Sequence, residues 1–402
     1  MGSRILVSLI RTIPAAQMGP SGTGPGTGTG PGTGTGRGAL QVEAARLAEA
    51  YRLLCEEGGW YELDRDLVVV SGDDALSFLQ GQVSQDLCGL GDGEAISSLV
   101  LEPDGKLTAL VRVWRRDANT LYLEQDRGFG LLVADRLRRF RIRVRAEIEL
   151  TEARLGVLRA PVVMRARELQ GIQAVWSGHG PEDPLSPARV GGADLEEAGG
   201  LASPVEMGNL RGMDVLWLPG APLDAGRVLD GCGLPRGDPA ALEVRRVEAG
   251  VPVMGHELGA RTIPAEAGLV ERCVSFAKGC YTGQELVERI DSRGSRVARR
   301  LVALRVPGSR EGIRELMEAG VGVMESPCGW KLQSGSNEVG EVTSAAWNPI
   351  SGGIVGMAYL RRSVDTPAEV TVRLGPEGEG PEVTGSVLDL AAADAGLGER
   401  YP

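Results

Sequence analysis

Apolar and polar positions follow different periods along this chain, and the changes of period divide it. Residues 19–38, GPSGTGPGTGTGPGTGTGRG, carry no apolar pattern. Such a stretch cannot bury enough surface to offset its own ordering, so 1–38 is expected to be a disordered leader. Ala44, Leu47, Ala48, Tyr51 and Leu54 then recur at helical spacing, which predicts an amphipathic helix from about Leu40. DLVVV reads as a short buried strand. A helix opened by Ser71 follows, with Asp73 and Asp74 in its first turn, where carboxylates meet the positive end of the helix dipole.

Between 96 and 150 the period shortens to two. ISSLVLE and LTALVRVW flank the turn Pro103-Asp104-Gly105-Lys106, and TLYLEQ follows, a strand meander. A helix near 128–139 leads into FRIRVRAEIEL, where Phe140, Ile142, Val144, Ala146 and Ile148 alternate with polar residues. That predicts a half-buried strand whose other face carries Arg139, Arg141, Arg143 and Arg145, either solvated or a landing strip for a polyanion. Residues 177–208 are rich in Pro and Gly and read as a loop-rich connection or insertion. From 301 onward LVALRV, VGVME, NEVGEVTSAA, GIVGMAYL, AEVTVRL and EVTGSVLDL return at close spacing, the pattern of a small antiparallel barrel. The expected organisation is a 1–38 leader, a 39–300 α+β region of two interleaved subdomains, and a 301–402 barrel. No internal repeat is evident.

Composition narrows the classes. A chain of 402 residues is long enough for two or three cores. A net charge of −11 argues against a protein that coats nucleic acid, and no direct nucleic-acid partner is expected. Six scattered cysteines and two histidines form no metal-type spacing, so no metal site is expected and the cysteines suit a reducing compartment. No apolar run reaches the roughly 18–20 residues that span a bilayer. MGSRILVSLIRTIPAAQM is short of apolar residues for a secretory signal and of arginine and serine for an organellar presequence. A cytoplasmic location is expected, with an organellar matrix as the alternative.

Two stretches carry candidate chemistry. In Lys278-Gly279-Cys280-Tyr281-Thr282-Gly283-Gln284-Glu285, one of only three lysines precedes a cysteine by two residues. Thr282 and Glu285 have capping-box spacing, with Tyr281 and Leu286 placed as a hydrophobic staple. Cys280 then lies just outside the positive end of a helix, beside Lys278, and both features favour thiolate. The competing reading is a buried cysteine in a glycine-rich turn, and Cys273 is a candidate thiol neighbour. In DPAALEVRRVEAGVP, 238–252, Asp238 caps, Pro239 suits the first turn and Gly250 the end. Glu248 stands in the last turn, opposed by the dipole, so either Arg245 or a ligand holds it there. A third, weaker stretch is FLQGQVSQDL, where Gln82, Ser84 and Asp86 alternate after a helix.

GDDALSFLQGQVSQD, EPDGK, RRVEAGVPVMGHEL…IPAE, VSFAKGCYTGQELVERIDSRGSRVARRLVAL and VGEVTSAAWNPISGGIVGMAYLRR, in this order, resemble the YgfZ-type folate-binding proteins. These are relatives of the glycine-cleavage aminomethyltransferase that act in iron–sulfur cluster assembly and repair. The resemblance implies a three-domain α+β cloverleaf with a C-terminal antiparallel β-barrel and a central channel for tetrahydrofolate or another reduced folate. It implies Cys280 and Lys278 as the reactive pair. Glu248 is implied as the pterin ligand, and Tyr281, Gly283, Gln284, Glu285 and Arg299 (or Arg300) as folate-side residues. The partners implied are a reduced folate and iron–sulfur client or assembly proteins, 4Fe–4S enzymes of tRNA modification among them, with no membrane. Whether a one-carbon or thiol reaction is catalysed stays open. A true aminomethyltransferase is the first alternative, although its branch has no signature cysteine and needs an aspartate in the N-terminal half that this sequence does not identify. A non-enzymatic folate-binding scaffold is the second. A cluster carrier is disfavoured, since one thiolate cannot supply the usual four ligands.

Overall fold

The computed structural model describes residues 35–161, 189–190, 193–194, 199–207, 210–218, 220–222, 224–231, 233–294, 296–308, 324–325, 329–375 and 378–390. The disorder expected of the leader up to residue 34 and most of the 177–208 connection fall outside the described residues, as do Cys232 and Cys328. Helix α1, Thr35–Glu56, begins within the stretch read as leader. Its buried Leu47, Tyr51 and Leu54 anchor it, and an anchored helix extends toward its N-terminus without a second nucleation cost.

An antiparallel sheet of seven strands organises the first half of the molecule. Its strands are β1 (Gly59–Ser71), β2 (Ala95–Leu101), β3 (Leu107–Asp117), β4 (Thr120–Asp126), β5 (Glu147–Pro161), β8 (Gly200–Met207) and β9 (Leu210–Trp217). Their order is β2-β3-β4-β1-β5-β9-β8. A separate two-residue hairpin, β6 (Arg189–Val190) with β7 (Ala193–Asp194), lies between β5 and β8 in sequence. The spine is β1 against β5, in register from Gly59↔Arg159 to Ser71↔Glu147. The helices are α2 (Ala75–Gln80), α3 (Gly130–Phe140), α4 (Ala225–Asp230), α5 (Pro239–Glu248), α6 (Val270–Cys273) and α7 (Gln284–Asp291).

Strand alternation sends side chains to two different cores. Val68, Val70, Ala109, Val111, Leu121 and Leu123 point into one core with residues of α2, α3, α6 and α7. Leu67, Trp114 and Tyr122 point the other way, into a core shared by α1, α5 and the outer face of the barrel. A smaller core lies between β5, β9 and α4.

The barrel strands are β10 (Arg299–Val306), β11 (Met324–Glu325), β12 (Lys331–Ser334), β13 (Asn337–Trp347), β14 (Ile354–Arg361), β15 (Ala368–Arg373) and β16 (Glu382–Asp389). Six close on themselves, β13-β12-β15-β16-β10-β14 and back to β13. Closure abolishes the sheet edges, and Val302, Leu304, Trp330, Leu332, Leu360, Val372 and Val387 fill the interior. The fold is α+β, with the antiparallel barrel last in the chain.

Three expectations are corrected, and one strand was not expected. Ser71 ends β1 rather than opening a helix, and Asp74 precedes α2 without capping it. The Asp74 carboxylate instead accepts the Arg145 backbone N–H and guanidinium. The strand read from Phe140 begins only at Glu147. Before it, Arg138 and Arg141 donate to the carbonyls of Ile148 and Ala146, Arg143 takes φ 56°, and Ile142 is exposed. The supposed arginine strip is therefore partly consumed in closing this turn. The end of the 177–208 connection is β8, with Pro204 tolerated because β8 is an edge strand. Finally, β12 escapes a period-two reading because KLQS offers a single apolar residue, Leu332.

Candidate functional site

The KGCYTGQE loop packs against two other motifs. Gly283 holds φ 85° immediately before α7, and an added Cβ would stand 2.7 Å from the Glu102 carbonyl oxygen and 2.8 Å from Leu101 Cβ. Gly105, in the Pro103–Lys106 turn, approaches Leu286 as closely, with 2.5 Å between its ideal Cβ and that of Leu286. Thr282 donates its N–H to the Gly81 carbonyl, and Ser275 donates to that of Ser84. Ser84 is fully buried; its hydroxyl bonds the Cys273 carbonyl at 2.5 Å and accepts the Leu99 N–H at 2.9 Å. Thus 81–88, 101–106 and 273–286 form one unit.

Lys278 completes that unit. Its Nζ donates to the Val83 and Gln85 carbonyls, both at 2.8 Å, and lies 5.3 Å from the Tyr281 ring centroid. Burial pushes its pKa down to about 8, with Asp86 and Cys88 pulling in the opposite direction. Two carbonyl acceptors suit either an ammonium or a neutral amine, which still has two N–H donors and one lone pair. Because the unfolded lysine holds its proton to about 10.5, the unfolded state binds more protons between pH 8 and 10.5. Stability conferred through this group therefore rises with pH across that window. Denaturant melts of wild type and Lys278→Met are expected to diverge in favour of wild type from pH 8 to 10.5; parallel curves would contradict the assignment.

The cysteine itself is exposed. The groups that act electrostatically on Lys278 are Asp86 and Cys88, a second exposed cysteine. Asp86 accepts the Cys88 backbone N–H at 3.0 Å and the Gln80 amide at 2.8 Å, and these bonds hold its carboxyl below the usual range. Cys273 is buried, and burial pushes its thiol up to about 11. Tyr281 is buried with a hydroxyl that has no partner among the described residues, and burial pushes its pKa up to about 12.

The capping box is corrected. Gly283, not Thr282, precedes the helix, and Gln284 rather than Glu285 reaches back, its Oε1 accepting the Tyr281 N–H at 3.2 Å. Glu285 stays exposed in the first turn.

Glu248 and Arg299 lie outside that unit, in two hydrogen-bonded sets along α5, the 251–269 segment and the barrel. Glu248 ends α5 as the spacing predicts, and its side chain is 1% exposed. Arg245 donates to it at 2.8 Å, Asn348 Nδ2 at 2.9 Å, and the Tyr51 hydroxyl bonds it as well. Next to it Arg246 pairs with Glu243 and with the buried Glu257, whose oxygens also take the Ser344 and Thr343 hydroxyls. Arg299 pairs with Glu266 at 3.0 Å and lies 4.2 Å from the Tyr359 ring centroid, while the Tyr359 hydroxyl donates to the Glu257 carbonyl. Arg300 instead bonds the Val364 carbonyl and Thr366. Sequence reading missed Tyr51, Asn348, Glu257, Glu266 and Tyr359. The signal within its reach was polarity at positions of an otherwise apolar stripe, as at Tyr51.

The inner face of the first sheet carries its own charges. Arg65 bonds Glu124 and Asp126, Arg112 bonds Asp214 at 2.7 Å, and Arg159 lies 2.8 Å from Asp214. Among the described residues no three His, Cys, Asp or Glu side chains are grouped to hold a metal ion, and no helix is long and apolar enough to cross a membrane.

No protein-family model matches the chain. It is 28% identical over 247 residues to the tRNA-modifying protein YgfZ of Klebsiella pneumoniae, covering 58% of this chain and 67% of that one. It is also 28% identical over 338 residues to an aminomethyltransferase of Streptomyces avermitilis, covering 79% and 80%. The crystal structure of the glycine cleavage system aminomethyltransferase T of Bartonella henselae superposes with a TM-score of 0.65 at 19% identity, over 86% of this chain and 88% of that one. The chain is thus similar to both branches in sequence and has the aminomethyltransferase fold.

Proposed function

We propose that this chain, built on the aminomethyltransferase fold and similar to YgfZ in sequence, binds a reduced folate and supports assembly or repair of 4Fe–4S enzymes. Cys280 is its working thiol and Lys278 the neighbouring acid–base group. The observation that carries this reading is the unit formed by three separate motifs around Lys278, which leaves Cys280 at the surface while the lysine is desolvated. A structural cysteine in a turn would be expected inside, as Cys273 is.

The residues present fit a reduced folate. Carboxylates at Glu248, Glu257 and Glu266 suit the N–H edge of a pterin, the Tyr359 face suits stacking, and the buried Tyr281 hydroxyl is an unclaimed hydrogen-bonding group. Arg299, paired with Glu266 and beside the Tyr359 ring, is a donor for the same pterin end. When bound, the folate would supply one-carbon chemistry. The chain's own residues orient it, and Lys278, whose Nζ bonds the Val83 and Gln85 carbonyls and whose pKa burial lowers to about 8, can hold or release a proton within the loop that carries Cys280.

Extended likeness to an aminomethyltransferase keeps one-carbon transfer as the second reading. Against it, Asp126 and Asp214, the aspartates on the first sheet's inner face, are both ion-paired to arginine, which leaves neither as a ready base. The test is deletion in the host, with complementation by wild type or Cys280→Ala. A 4Fe–4S tRNA-modifying enzyme is followed through its nucleoside product, and glycine cleavage in parallel. Loss of the modified nucleoside, restored by wild type and not by Cys280→Ala, is expected. Restoration by both proteins would favour a scaffold, and loss of glycine cleavage alone would favour the transferase.

A further inference from the structure

Seven large apolar side chains stand exposed among the described residues, and four of them, Leu131, Leu132, Ile142 and Leu150 at 56%, 53%, 74% and 39%, fall between 131 and 150. Lone exposed apolar side chains are ordinary, whereas a group of them marks a contact surface. Leu131 and Leu132 lie on the outward side of α3, about two turns before Arg138 and Arg139. Leu150 packs beside them, its Cδ1 2.5 Å from the point that a Cβ on Gly130 would occupy. Ile142 projects at the other end, from the turn that joins α3 to β5. That turn has a fixed shape. Arg141 donates to the Ala146 carbonyl at 2.7 Å, Arg138 to the Ile148 carbonyl at 3.1 Å, and the Arg145 N–H to Asp74 at 2.8 Å. Arg143 is held at φ 56°, unfavourable for a residue with a side chain.

We infer that this side of α3, with its closing turn, docks an amphipathic helix of a partner protein, one whose apolar stripe is flanked by carboxylates. Leu131, Leu132 and Leu150 take one end of the stripe and Ile142 the other, with the ~16 Å length of α3 between them. Charge chooses the polar half of the partner. Between Asp135 and Glu147 the chain carries six arginines and no acid, although its net charge is −11. Arg136 is buried, Arg138 meets Asp135, and Arg145 meets Asp73 and Asp74. Arg139, Arg141 and Arg143 are exposed on either side of Ile142, where planar guanidinium groups can hold carboxylates in bidentate fashion. Because the turn is already fixed, association costs it little conformational freedom.

Other occupants match the face less well. A second copy of the chain would bring its own arginine surplus instead of carboxylates. Nucleic acid would take the arginines and leave the three leucines uncovered. An anionic bilayer would receive the leucines but press Asp135, exposed and one turn beyond Leu131, against its headgroups. The inference does not rest on the folate reading.

The experiment places photoreactive p-benzoylphenylalanine at position 132 of the full chain in its host, irradiates the cells, and sequences the cross-linked segment by mass spectrometry. A synthetic peptide of that segment is then titrated against wild type, Leu131→Ser/Leu132→Ser and Arg139→Glu/Arg143→Glu. The segment is expected to carry apolar residues three and four apart with carboxylates beside them. Each variant is expected to bind the peptide at least about tenfold more weakly, and wild-type binding to weaken in high salt. All four substituted side chains are exposed, so both variants are expected to melt close to wild type. No adduct, an adduct to another copy of the chain, to nucleic acid or to lipid, or a segment without carboxylates overturns the inference. So does peptide binding that survives in either variant.

Discussion

Replacing Glu248 by Gln is expected to lower the unfolding free energy by about 3–5 kcal/mol, the usual cost of removing one partner from a buried ion pair. The carboxylate sits at the C-terminus of α5, where the helix dipole opposes it, and is kept there by Arg245, Tyr51 and Asn348. The amide keeps the shape and loses the charge, so the Arg245 guanidinium, with no exposed surface, loses its compensation. The three partners come from α1, α5 and the turn after β13, so the loss would loosen the contact between the first lobe, the central helix and the barrel together. Chemical denaturation of the two proteins measures it. A change below about 0.5 kcal/mol, within the range of ordinary surface substitutions, together with lost tetrahydrofolate binding, would instead make Glu248 chiefly a ligand group. A large loss of stability with binding retained in the folded fraction would make it purely structural.

Gly283→Ala is expected to cost about 2–4 kcal/mol. Roughly 1 kcal/mol comes from placing an L side chain at φ 85°, and about 1–3 kcal/mol from overpacking against Leu101 and the Glu102 carbonyl. The backbone carbonyl cannot swing aside as a flexible side chain would, so α7 must retreat from the 101–106 turn. That retreat moves Tyr281, whose N–H is fixed to Gln284, and with it the loop carrying Cys280. A fall in thermal midpoint accompanied by faster alkylation of the buried Cys273 is the expected pair of readouts. An alanine variant as stable as wild type would mean the turn adapts and the close approach is not a constraint.

What could be read from sequence differs by the range of the interaction. α5, with Asp238 as N-cap acceptor and Pro239 in the first turn, was legible because its punctuation lies within the helix. Strand alternation located the meander and most barrel strands, since a buried face imposes period two wherever it occurs. The same rule overreached at Arg141–Arg145, where alternation continues through a turn held by Asp73, Asp74 and the carbonyls of Ala146 and Ile148. Thr282 and Glu285 have capping-box spacing, yet the close approach of Gly283 to Leu101 sets the helix start. Longer reach defeats sequence reading altogether. Tyr51 and Asn348 meet Glu248 from 197 and 100 residues away, and nothing local at either marks the partner. The meeting of 81–88 with 273–286 was legible only as a resemblance, because Ser84 and Lys278 act through backbone carbonyls that any sequence would supply.

The pairing of β10 with β16 and of β1 with β5 carries a consequence for how the chain is born. β10 opens the barrel, yet one of its flanks is covered only when Ser386–Asp389 arrives, and its other flank waits for β14. A nascent chain leaving the ribosome N-terminus first therefore presents the apolar Leu301-Val302-Ala303-Leu304 run with both edges open until Ile354–Arg361 is made, and with one edge open until Ser386–Asp389 follows. Non-local pairings of this kind fold slowly and expose aggregation-prone edges meanwhile. In the first sheet β2, β3 and β4 are joined by short turns, and β1, which waits in the same way for β4 and β5, is covered once Pro161 is made, well before the barrel begins. Synthesis stalled before residue 382 is expected to yield a folded first lobe trailing a sticky, unfinished barrel, a natural target for chaperones.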